Sequence, residues 1–192
     1  MKGYGLTDSN GLAVFGSGWR DLVGDITVRG AGSNDPSWAS LGLGNLYAYS
    51  FSATAMKEVW VTYHIDHDYK PGTAIYLHTH WTTTGTDTGV VRWGFEYSYA
   101  KGYDQAVFPA VTTVYKNLAA SGTALRHMIS EVAVGDVIPS TNLETDGLIL
   151  CRIFRDAADG ADTCTDAAFL LTADCHYQSD RVNTLNRNYP FA

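Results

Sequence analysis

The feature that most constrains the fold is an alternation of apolar and polar residues that recurs along the chain after Tyr47. In "EVWVTYHID" (58–66), every second residue from Val59 to Ile65 is apolar. Successive side chains of a strand point to opposite faces, so this period of two predicts a half-buried strand. No long segment has the apolar period of a helix, and the chain is therefore predicted to be all-β.

The same pattern predicts several further strands, separated by turn-forming clusters. They are expected at "GTAIYLHTHW" (72–81), "VVRWGFEYSY" (90–99), "AVTTVYKNL" (110–118), "ALRHMISEVAV" (124–134), "GLILCRIFR" (147–155) and "AAFLLTADCHYQ" (167–178). About eight strands in one domain of this length favour a two-sheet β-sandwich of the jelly-roll type.

The first 45 residues differ in composition from the rest of the chain. They contain "GSGW", "RGAGSNDPSW" and "LGLGNLY", which are rich in turn-forming Gly, Ser, Asn and Asp. We therefore expect residues 1–45 to form an irregular Gly-rich arm, with one strand at "DITVR" (25–29), and residues 46–192 to form the sandwich.

Charge and hydropathy argue against two classes of partner. The net charge is −7, and Lys and Arg are not gathered into the basic stripe that binds nucleic acid. No apolar stretch is long enough to span a bilayer, and the start "MKGYGLTDSNG" does not resemble an export signal. We expect no nucleic acid or membrane partner and folding in a cytosol. The three cysteines, Cys151, Cys164 and Cys175, are expected to be free and buried.

His78 and His80 form the first candidate metal site. They lie two residues apart on a predicted strand, so both imidazoles project from one face and can offer two nitrogens to one ion. His127 or His176 is available as a third ligand. The alternative is that the histidines pack among aromatic residues (Tyr76, Trp60 and Trp81) and hydrogen-bond to backbone or carboxylates. We favour this structural interpretation and assign no metal-binding, catalytic or cofactor-binding residue.

Gly72 and the two histidines also match the opening of the first cupin motif, in which a barrel of strands holds a metal. That motif continues with a glutamate, where this chain has Thr84 and Gly85. A short match is only a hypothesis until its structural context is known. A cupin-like metalloenzyme is therefore kept as a minor alternative, and no enzymatic activity is predicted.

Three other polar groups have structural interpretations. In "HIDHD" (64–68), Asp66 and Asp68 are expected to cap turn amides. The aspartates of "RDAADGADTCTDA" (155–167) lack the spacing of a calcium loop and predict a solvated hairpin loop. Asp174 and His176 share a strand face opposite to Cys175 and are expected to satisfy each other or a neighbouring strand.

Four segments together resemble a group of structural proteins from tailed bacteriophages. They are "WRDLVGDITVRG", "HIDHDYKPGTAIYLHTHW", "LETDGLILCRIFRDAADGADT" and "DAAFLLTADCHYQSD". The resemblance runs from about Trp19 to about Asp180, and the chain departs from it at Cys164 and Cys175. It implies a trimeric virion component with a jelly-roll-like body, most similar to a capsid cement (decoration) protein.

The resemblance therefore implies a protein that stabilises the phage head by binding the major capsid protein over subunit junctions, after assembly in the host cytoplasm. The alternative is a tail fibre or spike that binds a host receptor or glycan. In that case exposed aromatics such as Tyr97, Tyr99 and Tyr103 would stack on sugars.

Overall fold

The computed structural model describes residues 6–7, 13–14, 16–30, 32–181, 184 and 187. These residues form thirteen β-strands and two single-turn 3-10 segments, Val134–Asp136 and Ser140–Asn142. Neither 3-10 segment in this described part has the length or apolar character needed to cross a membrane. The strands are β1 (Leu6–Thr7), β2 (Ala13–Val14), β3 (Gly18–Val23), β4 (Asp25–Thr27), β5 (Ser37–Ser40), β6 (Tyr47–Phe51), β7 (Lys57–His64), β8 (Tyr76–Thr83), β9 (Val90–Ala100), β10 (Thr112–Ala119), β11 (Met128–Glu131), β12 (Leu148–Arg155) and β13 (Ala168–Ser179).

Two antiparallel sheets face each other. One has the strand order β10-β9-β12-β7-β4, and the other has the order β11-β8-β13-β6-β5, with β3 also paired to β13. The buried apolar side chains of both sheets form a single core cluster. The predicted all-β sandwich is confirmed.

The connectivity from β6 onward is that of a jelly roll. The first strand of this set pairs with the last, β6 with β13, and the second with the seventh, β7 with β12. The inner pairs are β8 with β11 and β9 with β10. This is a single long hairpin of eight strands wrapped into two sheets, as in other jelly rolls.

Two tryptophans from opposite sheets lie at the centre of the core. Trp81 of β8 and Trp93 of β9 are fully buried, and their ring centroids are 6.3 Å apart. The indole Nε1 of Trp81 donates a hydrogen bond to Oγ of Ser130 at 2.8 Å, so its polar atom is satisfied inside the core. The alternation predicted from the sequence is also confirmed, because Val59 to Ile65 bury the expected face of β7.

The segment predicted as an irregular arm contributes to both sheets. Strand β3 pairs with β13, β4 pairs with β7, and β5 pairs with β6. Leu22 of β3 is buried in the core cluster. These strands are short and separated by glycine-containing turns, so they lack the length that makes a period of two visible. The expected strand at "DITVR" is present as β4, and most of residues 1–15 lie outside the described residues.

The turn before β8 has the predicted chemistry. Pro71 and Gly72 occupy its two central positions, and Gly72 has a φ of +80°. A type II turn favours proline first and then a glycine that can adopt positive φ. This turn leads the chain into the strand that holds His78 and His80.

Replacing Gly94 with alanine is expected to destabilise the sandwich by about 1–3 kcal/mol, because overpacking forces neighbours to shift. A Cβ at this position would lie 2.2 Å from the Phe154 ring, which covers the glycine from the neighbouring strand. Urea unfolding monitored by tryptophan fluorescence measures the change. Gly18→Ala is the matched strand control, since nothing lies within 4 Å of its Cβ position. Equal stability of the two variants would contradict the role of the Phe154 contact.

Candidate functional site

A β-bulge in β13 decides which of its side chains reach the outer face of the six-stranded sheet. The register with β8 shifts between Leu170 and Thr172. Before the shift Leu170 points into the core, and after it Ala173 and Cys175 do so. Asp174 therefore lies on the outer face, directly opposite His78 of β8.

His78, His80 and Asp174 form the centre of a polar cluster on this outer face. Nε2 of His78 lies 3.1 Å from Oδ1 of Asp174, and Nε2 of His80 lies 3.5 Å from Oδ2 of the same carboxylate. The side chain of His78 is 0% exposed, that of Asp174 is 7% exposed and that of His80 is 19% exposed. Two imidazoles thus converge on one buried carboxylate.

The periphery of the cluster consists of polar pairs. Nε2 of His176 lies 2.9 Å from Oδ1 of Asp21 on β3, and its Nδ1 contacts the carboxylate of Glu131 on β11. Nδ1 of His80 lies 2.6 Å from Nε2 of His127, with the two rings stacked at 4.8 Å. Next to the cluster is an open hollow of about 450 Å³ lined by Trp19, Tyr76, Glu131 and His176.

The central pair is close but not hydrogen-bonded. Within the part of the chain that the structure describes, both ring nitrogens of His78 and Oδ1 of Asp174 are buried without a well-aligned hydrogen-bond partner. The 3.1 Å between Nε2 of His78 and Oδ1 of Asp174 is short enough for a hydrogen bond. The angle between the two groups, and not their distance, therefore prevents one from forming. A buried polar atom without a partner costs free energy of folding. The central pair differs in this respect from the polar pairs at the periphery of the cluster, whose atoms have partners.

The charges of the cluster shift the pKa values of its two central histidines in opposite directions. Burial lowers the pKa of His78, but its contact with Asp174 and the charge of that carboxylate outweigh burial and raise the pKa above its ordinary value. The pKa of His80 is lowered by burial and by the neighbouring histidines, against the attraction of Asp174. The cluster thus favours a proton on His78 and disfavours one on His80.

The structure corrects the expected surroundings of the histidines. Trp81 lies in the core, on the opposite face of β8 from His78 and His80, and Trp60 lies on β7 in the other sheet. Of the three aromatics expected around the pair, Tyr76 shares their face. Both histidines also point away from the space between the sheets, so they cannot form a metal site inside the sandwich as in the cupin alternative.

Asp68 of "HIDHD" has a different role from the predicted turn cap. Asp68 is buried and accepts hydrogen bonds from the guanidinium of Arg20 and, at 2.7 Å, from the hydroxyl of Tyr177. Two histidines of the same region, His64 and His67, lie 3.1 and 3.2 Å from Oδ1 of Asp146. Asp68 thus holds β3 and β13 together, a long-range role that local sequence cannot show.

The aspartate-rich loop is organised around a buried arginine. Nε and an Nη of Arg155 donate to the carboxylate of Asp162 at 2.9 and 2.8 Å, and both side chains are almost fully buried. The guanidinium also donates to the carbonyls of Cys164 and Asp166. The loop is exposed at residues 158–160, as predicted for a solvated loop. It is not the predicted hairpin, because it joins β12 of one sheet to β13 of the other and folds over this cation.

The thiols and the Asp174–His176 pair are not arranged for covalent catalysis. Cys151, Cys164 and Cys175 are free and buried, as predicted, and burial raises the pKa of each thiol. Asp174 and His176 each contact residues of neighbouring strands, as their shared strand face predicted. A thiol with a raised pKa is a poor nucleophile at neutral pH.

Of the three tyrosines expected to be exposed, Tyr103 is exposed, at 43%, and the other two are not. Tyr97 is 7% exposed and belongs to the core. Tyr99 is partly buried, and its hydroxyl accepts a hydrogen bond from the backbone N–H of Glu144 at 2.9 Å. The larger exposed aromatic cluster lies on the β5–β6 hairpin, where Trp38 packs against Tyr47 and Tyr49 with ring centroids 6.4 and 4.9 Å apart.

Comparisons with known proteins identify no family for this chain. No protein-family model matches the chain, and no curated protein matches it. One similar solved structure is that of TmCBM61 in complex with β-1,4-galactotriose, with 12% sequence identity. The match covers 85% of this chain and 88% of that chain, with a TM-score of 0.32. A likeness this distant carries no argument about function.

In chelator-treated protein, His78 is expected to titrate above its ordinary pKa of about 6.5 and His80 below it. Histidine ring NMR signals, assigned with His80→Gln, measure both values between pH 5 and 9. A raised folded pKa means that the proton on His78 stabilises the fold below the unfolded pKa, and that this contribution is lost as pH rises through the folded pKa. The titratable groups facing His78 are Asp174, Glu131, His80, His176 and Asp21. Titration of both rings at the same pH would contradict this asymmetry.

Arg155→Met is expected to destabilise the protein by about 3–5 kcal/mol, because Asp162 would remain as a buried charge without its partner. Thermal unfolding followed by circular dichroism measures the loss. Arg181→Met serves as a control, since Arg181 pairs with the adjacent Asp180 on a partly exposed site and should contribute only about 0–1 kcal/mol. A loss no larger than that of the control would show that the loop does not depend on Arg155.

Proposed function

We propose that the protein is a non-enzymatic component of a tailed-bacteriophage particle, a decoration protein that binds the major capsid protein over subunit junctions. The resemblance of four segments to phage structural proteins supports this assignment. The jelly-roll body is compatible with it, since capsid proteins are among the known users of this architecture. Fold alone does not determine function, so the proposal depends on a surface.

The observation that carries the proposal is the edge hairpin formed by β5 and β6. Residues 36–56 contain no Asp, Glu, Lys, Arg or His, although the chain has a net charge of −7. Four large side chains of this hairpin are strongly exposed: Trp38 at 62%, Leu46 at 59%, and Leu43 and Tyr47 at 48% each. Protein interfaces have cores depleted in charge and enriched in Trp and Tyr. The hairpin therefore has the composition of a binding surface.

A capsid presents the same surface many times, which compensates for the small size of this apolar patch. A partner that presents the same site many times allows an oligomer to bind through several weak contacts at once. A second exposed apolar group, Val107, Phe108 and Val111 in the β9–β10 loop, is available for the self-association into a trimer that the resemblance implies. The hairpin is the main capsid contact in this proposal.

The second candidate function is glycan binding by a tail fibre or spike. The aromatic cluster of Trp38, Tyr47 and Tyr49 favours it, since exposed aromatic faces can stack on sugar rings. The two candidates differ in copy number: hundreds per particle indicate a decoration protein, and a few tens or fewer indicate a tail position. Quantitative mass spectrometry of purified particles measures this number.

Trp38→Ser is expected to weaken binding to undecorated capsids by about 10–100-fold, in the range of an interface hot spot. Sedimentation of capsids with added protein measures the bound fraction. Trp19→Ser is the matched control, because Trp19 is 56% exposed but lies beside the histidine cluster. Equal capsid binding by both variants would refute the hairpin as the contact. Failure of the wild-type protein to bind capsids, together with glycan binding lost in Trp38→Ser, would favour the fibre assignment.

A further inference from the structure

We infer that His78, His80 and Asp174 form a binding site for one divalent transition-metal ion of the zinc class, with a fourth position open to water. This inference goes beyond the proposed function and does not depend on it. Two imidazole nitrogens and one carboxylate oxygen are a ligand set that zinc accepts when a fourth position is held by water. Sequence reasoning had assigned the same histidines a structural role.

The spacing of the ligand atoms suits a single ion. Zinc bonds of about 2.0–2.1 Å in a tetrahedral site place neighbouring ligand atoms about 3.3 Å apart. Nε2 of His78 lies 3.1 Å from Oδ1 of Asp174, and Nε2 of His80 lies 3.5 Å from Oδ2, the other oxygen of the same carboxylate, so each imidazole nitrogen is near that distance from one carboxylate oxygen. The ligand atoms of all three residues lie within 4.8 Å of one another.

The direction of the contacts is the second, independent observation. His78 is fully buried, yet among the described residues no hydrogen bond of good geometry reaches either of its nitrogens, and Oδ1 of Asp174 is unpaired in the same sense. Residues that share a metal point their lone pairs at the ion and not at one another. A short contact that lacks hydrogen-bond alignment is therefore the arrangement expected of two ligands to one ion.

The surroundings provide the orienting contact that metal-bound histidines require. Nδ1 of His80 lies 2.6 Å from Nε2 of His127. With the proton of His80 on Nδ1 and donated to His127, Nε2 of His80 keeps a lone pair facing Asp174. Such contacts commonly fix the tautomer of a metal ligand. The carboxylates of Asp21 and Glu131 add negative charge nearby, which favours a cation.

A second set of ligand atoms, from Asp21, His78 and His176, also lies within 4.8 Å. We assign the ion to the first set because His176 already has a carboxylate at each ring nitrogen. Asp21 is also 56% exposed, so binding there would have to order a solvated side chain. In this assignment His176 flanks the site, and solvent reaches the metal beside the partly exposed His80.

The test uses full-length protein without a histidine tag, stripped with a chelator and titrated with zinc chloride alone. One equivalent of zinc is expected to bind by calorimetry, with a rise in melting temperature. Asp174→Asn and His80→Gln are each expected to weaken binding at least about 100-fold, and His127→Gln about 10–100-fold. These positions are chosen because replacing the fully buried His78 can also disturb folding, which circular dichroism checks in every variant.

His64→Gln is the matched control, since His64 pairs with a carboxylate outside the cluster and should bind zinc like the wild type. Less than about one tenth of an equivalent bound at saturating zinc would overturn the inference. Equal losses in Asp174→Asn and His64→Gln would also overturn it. If His176→Gln abolished binding while His80→Gln left it intact, the assigned ligand set would be wrong.

Discussion

The pairing of β8 with β13 is the constraint on which the candidate site depends. Because side chains alternate along a strand, a shift of one residue would exchange the two faces. The bulge between Leu170 and Thr172 makes that exchange within β13 itself. Leu170 and Cys175 are five residues apart, so in a regular strand they would point to opposite faces, but the bulge allows both to point into the core. It also places Asp174 on the outer face, against His78. Without the bulge, either the apolar residues or the carboxylate would lie on the wrong side.

The position of the cluster separates its chemistry from the stability of the core. Trp81 and Trp93 are packed between the sheets, whereas His78 and Asp174 lie outside them, where the rings of His80 and His176 pack against His78. In barrel enzymes the metal occupies the interior, where the protein controls access from one end. Here solvent approaches from the side of the sheet. The arrangement suits the binding of an ion that cross-links the two central strands β8 and β13, and it does not need an enclosed active-site cavity.

Much of the fold could be predicted from the sequence because it depends on local alternation. The long strands β7, β9 and β12 show a period of two, and their buried faces follow it. The strands β3 to β5 could not be predicted in the same way, since they are short and are stabilised by pairing with distant strands. The site was predicted in part. His78 and His80 were recognisable by spacing, and Asp174 and His176 by their shared face, but a single sequence does not show that the four residues meet.

Other contributors left no local signal. Asp21 and Glu131 join the cluster only through the pairing of β3 and β11 with the central strands. Arg155 looks like an ordinary charged strand end, yet it is buried and holds the aspartate loop. Such residues act through long-range contacts, so their roles become visible only when the register of the sheets is known.

The antiparallel pairing of β3 with β13 also has a mechanical consequence. Gly18, at the start of β3, lies opposite Ser179, at the end of β13, and Val23 lies opposite Asp174. A pulling force applied at Gly18 and Ser179 acts on this residue pair first. The ladder then opens one residue pair at a time, instead of losing all its hydrogen bonds together by shear. The rung that joins Asp21 and His176 opens before the rung at Asp174. Tension at this seam thus removes the outer carboxylate of the cluster first and leaves β8 paired with β13.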